Sequence, residues 1–176
     1  MGIATIGDSA SPLGCEGIGS LNSEFKNDEV WLLATSEKLS ADDALNFASV
    51  PEAGAVVLFS GDVRNHSGNR TGVISLEYEA YESKLIGSFE AIAENAKSRF
   101  DGLCRIVIFH RLGLCRVGES TVVVVVSSEH RDSGFAAAKY CIDTLKHTSP
   151  IWKKEIWAEG NDWALNANQI QRAEEL

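Results

Sequence analysis

Residues 121–127 read TVVVVVS, and five valines in succession leave the segment no polar face. β-Branched side chains favour extended backbone, and successive strand residues point to opposite sides. A strand that is apolar on both sides belongs at the centre of a sheet, buried on both faces. The rest of the 176 residues has to supply the cover. A chain of this length is expected to form one domain and can bury roughly two thirds of its unfolded surface. It needs no metal or disulfide staple to fold.

The patterning around that strand supplies the other elements. Val30–Ala34 (VWLLA) reads as a strand, and Ser40 as the N-cap of a short helix, ADDALNFAS, with Asp42 and Asp43 in its first turn. Residues 54–63 (GAVVLFSGDV) read as an apolar strand ending at Arg64, followed by the polar loop NHSGNRTG. From Ile74 to Tyr81 the pattern alternates, with Ile74, Leu76, Tyr78 and Ala80 on one face. Lys84–Phe100 has helical spacing, and Arg105–Leu112 reads as strand. Asp132 or Ser133 is a candidate cap for a helix over 133–146 that buries Phe135, Ala138, Ile142 and Leu145. Pro150 ends it, because the residue before a proline avoids the α region. Ile151–Ala158 and Asp162–Asn166 complete the set as strands.

The resulting order is β-α-β-β-α-β-β-α-β-β. Consecutive strands with no helix between them pair antiparallel, so the expected class is α+β, with a mixed, largely antiparallel sheet. Residues 1–28, rich in Gly, Ser and acids, are expected to be a disordered N-terminal segment. Residues 29–166 form the domain, and 167–176 a polar C-terminal tail.

Composition excludes several functions. The formal net charge is −9 and the pI about 4.9, which argues against a nucleic-acid partner. No apolar run reaches membrane-spanning length, and the N-terminus lacks the layout of a secretory signal or transit peptide. No membrane partner is expected, and the chain reads as cytoplasmic, in the cytosol. Cys15, Cys104, Cys115 and Cys141 form no CxxC pair and have no histidine at ligand spacing. They read as reduced thiols, with neither metal nor cofactor implied. The signatures GxSxG, GxxxxGK[ST], HExxH and GxGxxG are absent, and Ser127 and Ser128 lie too close to His130 along a strand end for a triad.

One segment runs against the acidic balance. Residues 129–155 carry a net charge of +1, whereas the segments on either side are acidic. The cations fall at element ends: Arg64 after one strand, His130 and Arg131 before a helix, Lys146 at that helix's end, and Lys153 and Lys154 with Glu155 after Pro150. Each has an ordinary explanation. Lys146 suits the helix dipole, Lys153 and Lys154 alternate faces of a strand, and Arg131 can pair with Asp132 at the surface. Trp152 and Trp157 suit a core. Together, the cations instead describe a pocket for a phosphate or carboxylate, with lysines available for acid–base work or as nucleophiles.

Four separated motifs then carry a resemblance: FSGDVRNH, HRLGLCRVGE, the valine strand ending in His130-Arg131, and LKHTSPIWKKE. Over roughly residues 28–165 the chain resembles the catalytic (large) subunit of molybdopterin synthase. The resemblance implies an α/β-hammerhead-type fold. It also implies a sulfurtransferase of molybdenum cofactor biosynthesis, moving sulfur onto cyclic pyranopterin monophosphate to make the molybdopterin dithiolene. The donor would be the C-terminal Gly-Gly thiocarboxylate of a small ubiquitin-like subunit. The assembly would be a heterotetramer around a central dimer of large subunits. Carried across by motif, Lys146 and Lys153 are the catalytic residues, and Arg64, His130, Arg131, Lys154 and Glu155 bind substrate. The chain departs from expectation after Trp163, where ALNANQIQ offers no cation before Arg172. A non-catalytic module holding the ubiquitin-like partner's tail, and a lone phosphometabolite-binding protein, are the alternatives.

Overall fold

A computed structural model describes residues 22–67 and 70–163. In chain order these form β1 (Asn22–Lys26), β2 (Val30–Thr35), α1 (Ala41–Ala48), β3 (Ala55–Asp62), β4 (His66–Ser67), β5 (Arg70–Thr71) and β6 (Val73–Ala80). They continue as α2 (Glu82–Arg99), β7 (Leu103–Arg111), β8 (Gly113–Arg116), β9 (Ser120–Ser128), α3 (Arg131–Thr148), β10 (Ile151–Trp157) and β11 (Gly160–Trp163).

The valine run lies in β9, next to the edge of a five-stranded sheet of order β1-β2-β7-β9-β3. Alternation divides the valines between two cores. Val122, Val124 and Val126 pack with α2 and α3 through Phe89, Ile92, Ala138 and Ile142. Val123 and Val125 pack with Ala44 and Ala48 of α1 and with Val107 and Phe109. Both faces are thus covered, as an all-valine strand requires. In this sheet only β2 and β7 run parallel. A second, wholly antiparallel sheet has the order β11-β10-β6-β8. The architecture is α+β, as the element order implies.

Local chemistry sets several boundaries. Ser40 caps α1, its Oγ accepting from Asp43 N at 3.1 Å. In HRLGLCRVGE, Gly113 and Gly118 adopt φ of 77° and 84°, which only glycine does at low cost. They bracket β8. Glu119 ties the turn together, accepting from Arg116 N at 2.9 Å and Arg111 Nη1 at 3.0 Å.

Five expectations need correction. Residues 22–26 are not disordered but form β1, latched to β2 by Glu24 accepting from Trp31 Nε1 at 2.6 Å and by Lys26 lying 3.3 Å over the Trp31 ring. Ile74 does not share the face of Leu76: it is skipped at a β-bulge opposite Ile156–Trp157 and is 52% exposed. Phe135 is not in the buried face of α3 but 63% exposed, because Gly134 occupies the contact with β9 and β3. There a Cβ would lie 2.7 Å from Ser128 Oγ. Finally, α3 begins at Arg131 with His130 as its N-cap, rather than at a cap from Asp132 or Ser133. Strand β11 starts at Gly160, two residues before the expected position, and residues 164–166 lie outside the described ones. So do residues 1–21 and the tail from 167.

Cys115 and Cys141 are buried, Cys104 is half-buried, and all three are free. Burial alone pushes the Cys141 thiol up to about 12, which keeps it protonated and inert. Among the described residues no helix is long and apolar enough to cross a membrane, and no cluster of His, Cys, Asp or Glu is arranged to hold a metal.

Candidate active site

A cavity of about 730 Å³ opens where the end of β3, the β4–β5 hairpin, the inner face of β6 and β10, and the last turn of α3 meet. Each element delivers its side chain for an identifiable reason. In FSGDVR, Gly61 lets β3 lie close to β9, where a Cβ would come within 2.6 Å of Val122 Cγ1. The register shifts at Gly61–Asp62, and buried Val63 is pinned by backbone bonds to Glu119 and Gly118 at 3.0 and 2.9 Å. Arg64 follows at the rim.

Lys146 sits in the last turn of α3, its Nζ 5.8 Å from the centre of the Phe59 ring. Pro150 stops the helix. Ile151 N donates to Ser149 O at 2.8 Å, and Tyr81 N to Pro150 O at 3.0 Å, so the chain reverses directly into β10. Lys153 therefore lines the same cavity from a second element. Its Nζ lies 3.2 Å from Glu155 Oε1, two residues on and on the same strand face. Glu155 is buried, and its Oε1 also accepts from Ser67 Oγ at 2.5 Å.

Strand alternation removes Lys154 from the set. It points to the outer face, with Nζ 3.4 Å from Glu77 Oε2 and 5.8 Å from the Trp163 ring centre. Nor do His130 and Arg131 line this cavity within one chain. They stand at the opposite end of α3 from Lys146, about 22 Å away at 1.5 Å per residue. Arg131 Nε lies 3.7 Å from Asp132 Oδ1, in a pair whose side chains are 82% and 92% exposed.

One lining residue has no role in the reading of the sequence. His110, at the end of β7, is buried in the cavity wall with Nδ1 2.8 Å from Arg111 O. Burial lowers its pKa to about 4, only partly offset by that bond, so the ring is neutral at physiological pH. It meets Tyr78 edge-on, centroids 5.1 Å apart at 75°. Tyr78 Oη donates to Thr121 Oγ1 at 3.4 Å, and Thr121 to Gly61 O at 3.0 Å. Burial raises the Tyr78 pKa, so the phenol stays protonated. The signal for His110 was its place in HRLGLCRVGE, beside the structural Arg111.

The cavity thus combines three cations, one buried carboxylate and a neutral imidazole against aromatic walls. It suits an anionic ligand with a flat portion.

Known proteins are similar to this chain in sequence and fold. Residues 34–148 match the family model described as MoaE protein. The chain is 46% identical over 121 residues to the molybdopterin synthase catalytic subunit of a Nostoc strain, covering 69% of this chain and 68% of that one. It is 42% identical to the human protein of the same description, covering 75% and 69%. A crystal structure of molybdopterin synthase from Staphylococcus aureus superposes with a TM-score of 0.69 at 30% identity, over 80% of this chain and 98% of that one. A Helicobacter pylori structure, described as a complex of subunits 1 and 2 of molybdopterin-converting factor, has the same fold, with a TM-score of 0.64 at 24% identity over 78% and 92%. The motifs, the fold and these relatives agree, and the chain belongs to the family of molybdopterin synthase catalytic subunits, the MoaE proteins.

Proposed function

We propose that this chain takes sulfur from the thiocarboxylated Gly-Gly terminus of a small ubiquitin-like subunit and transfers it to cyclic pyranopterin monophosphate, building the molybdopterin dithiolene. The observation that carries this reading is the convergence of Lys146 and Lys153, from either side of Pro150, on one cavity with Arg64 at its rim. Both reactants are anions, a cyclic phosphate and a thiocarboxylate. Bringing them together costs Coulomb repulsion unless fixed cations offset it. An otherwise acidic chain concentrates cations at this cavity.

Lys146, at the open end, stands beside the donor's terminal glycine. Lys153, held by Glu155, handles the proton as sulfur attacks and oxygen leaves. Arg64 takes the phosphate. His130 and Arg131 belong to the same reading through a central dimer of this chain in a heterotetramer. A second copy would bring its helix N-terminus, with that pair, to the mouth of the first copy's cavity. Lys154, paired with Glu77 on the outer face, has no part in it. The compartment of this reading is the cytosol, whose reducing conditions are compatible with free Cys104, Cys115 and Cys141.

The test is reconstitution from purified parts: this chain, the thiocarboxylated partner and the pyranopterin, with product followed by mass. Lys146→Ala and Lys153→Ala should each lower dithiolene formation by a factor on the order of 100 or more while partner binding is largely kept. Unchanged turnover in both variants would leave a module that only holds the partner's tail.

A further inference from the structure

His110 presents the cavity with a polar atom that the sulfur-transfer residues leave unexplained. Its Nδ1 lies 2.8 Å from the backbone oxygen of Arg111. A carbonyl oxygen only accepts, so Nδ1 carries the proton and Nε2 is the lone-pair acceptor. No described residue hydrogen-bonds Nε2. Tyr78, packed edge-on against the His110 ring, donates its hydroxyl to Thr121, and Thr121 donates to Gly61 O. His110 lines the cavity, so an acceptor left without a protein partner there can take a hydrogen bond from a bound ligand.

The surroundings select the donor. Phe59 and Tyr78 give this part of the cavity flat, aromatic walls, while Arg64, Lys146 and Lys153 supply the charge. A planar, nitrogen-rich heterocycle with N–H groups on its edge fits those walls. A Gly-Gly tail has amide N–H groups but no ring to pack. We infer that His110 is a substrate-binding residue whose Nε2 accepts a hydrogen bond from a ring N–H of the pyranopterin, fixing the heterocycle while the cations hold its phosphate. The inference rests on the substrate proposed above. Because burial keeps the imidazole neutral down to about pH 4, the acceptor persists across the physiological range.

Two variants separate the acceptor from the scaffold. His110→Asn retains an N–H that can reach Arg111 O but ends short of the Nε2 position. His110→Gln can carry a carbonyl oxygen to that position. Binding of cyclic pyranopterin monophosphate to the full chain is measured by calorimetry, and binding of the thiocarboxylated partner separately. His110→Asn should weaken the pyranopterin about tenfold, and His110→Gln should recover to within about threefold of the natural chain, with partner affinity unchanged in both. Pyranopterin affinity unchanged in His110→Asn would overturn the inference. So would equal loss in both variants tracking a lowered melting temperature, or a loss confined to the partner. If the natural chain itself fails to bind the pyranopterin, the substrate reading falls and this inference falls with it.

Discussion

Glu155 Oε1 lies 3.2 Å from Lys153 Nζ and accepts a hydrogen bond from Ser67 Oγ at 2.5 Å. One carboxylate oxygen therefore joins the lysine of β10 to the hairpin at β4, whose Ser67 stands 88 positions before Glu155 in the chain. The arrangement is asymmetric, with the Glu155 side chain 8% exposed and that of Lys153 35%. The buried partner is fixed and orients the more mobile one.

Replacing Glu155 with Gln keeps the shape and an acceptor for Ser67 but removes the charge that holds Lys153. Charge-assisted bonds exceed neutral ones, so a stability loss of about 1–2 kcal/mol is expected by urea unfolding. Turnover should fall further than that loss accounts for, by about tenfold or more, because Lys153 is no longer held in place. Single-turnover product formation under conditions where the variant is fully folded makes the measurement. Turnover equal to that of the natural chain would show that Lys153 needs no such partner.

His110 predicts a specific acid sensitivity. Its folded pKa of about 4 lies below the ordinary 6.5, so between these values the unfolded chain binds a proton that the folded chain refuses. Stability from this group is therefore complete above pH 6.5 and is lost as the pH falls. The loss is about 1 kcal/mol by pH 5.5 and grows to a few kcal/mol near pH 4. Tyr78, Lys153 and Glu155 face the same cavity, and Glu29 and Glu119, whose pKa values are lowered from 4.5, add their own losses only at the acid end of this window. Urea unfolding at pH 7.5 and 5.5 should give a gap that shrinks by about 1 kcal/mol in His110→Gln. An unchanged gap would mean that the folded ring accepts a proton freely.

Arg131 separates stability from binding. Its pair with Asp132 is almost fully exposed, and such pairs contribute close to nothing. A cation in the first turn of α3 also opposes the helix dipole. Arg131→Glu should thus leave the unfolding free energy unchanged or raise it by about a few tenths of a kcal/mol, the scale of one dipole contact. If a second copy's Arg131 anchors phosphate, pyranopterin affinity should nonetheless fall about tenfold or more, since attraction becomes repulsion. Equal affinity by calorimetry would remove Arg131 from that role.

What the sequence makes legible here is what local chemistry decides. The valine strand, the Ser40 cap and the stop at Pro150 each depend on residues within a few positions. Strand β1 escapes because NSEFK is exposed on nearly every side and has no apolar period; its hold comes from Trp31 on the next strand. Ile74 and Phe135 mislead because a bulge and a close glycine contact, both set by partners far along the chain, turn them outward. At the site, Lys146, Lys153, Arg64 and Glu155 can be found by motif, and Pro150 explains how two elements meet. The separation of His130 and Arg131 from them follows from the length of α3, which carries its two ends to opposite sides. His110 is hidden because a histidine closing an apolar strand has no local mark of function.

Two glycines with opposite surroundings test how far such non-local contacts control stability. Gly54 donates its N–H to Ser128 O at 3.0 Å, and a Cβ there would lie 2.3 Å from the backbone oxygen of Glu129. Backbone cannot yield as a side-chain end can, so β3 would have to move off β9. Gly54→Ala should cost about 2–3 kcal/mol, the scale of overpacking. Gly87 lies exposed within α2 with nothing within 4 Å of the same position. Gly87→Ala should stabilise by about 0.5–1 kcal/mol, by relieving the entropy cost of glycine in a helix. Thermal and urea unfolding of both variants measures the two signs. Gly54 and β3 lead directly to Gly61 and Arg64, so displacing the strand should also weaken pyranopterin binding, whereas Gly87→Ala should leave it intact. A Gly54→Ala chain with natural stability would show that β3 can slide along β9 without penalty, and the placement of Arg64 would then need another anchor.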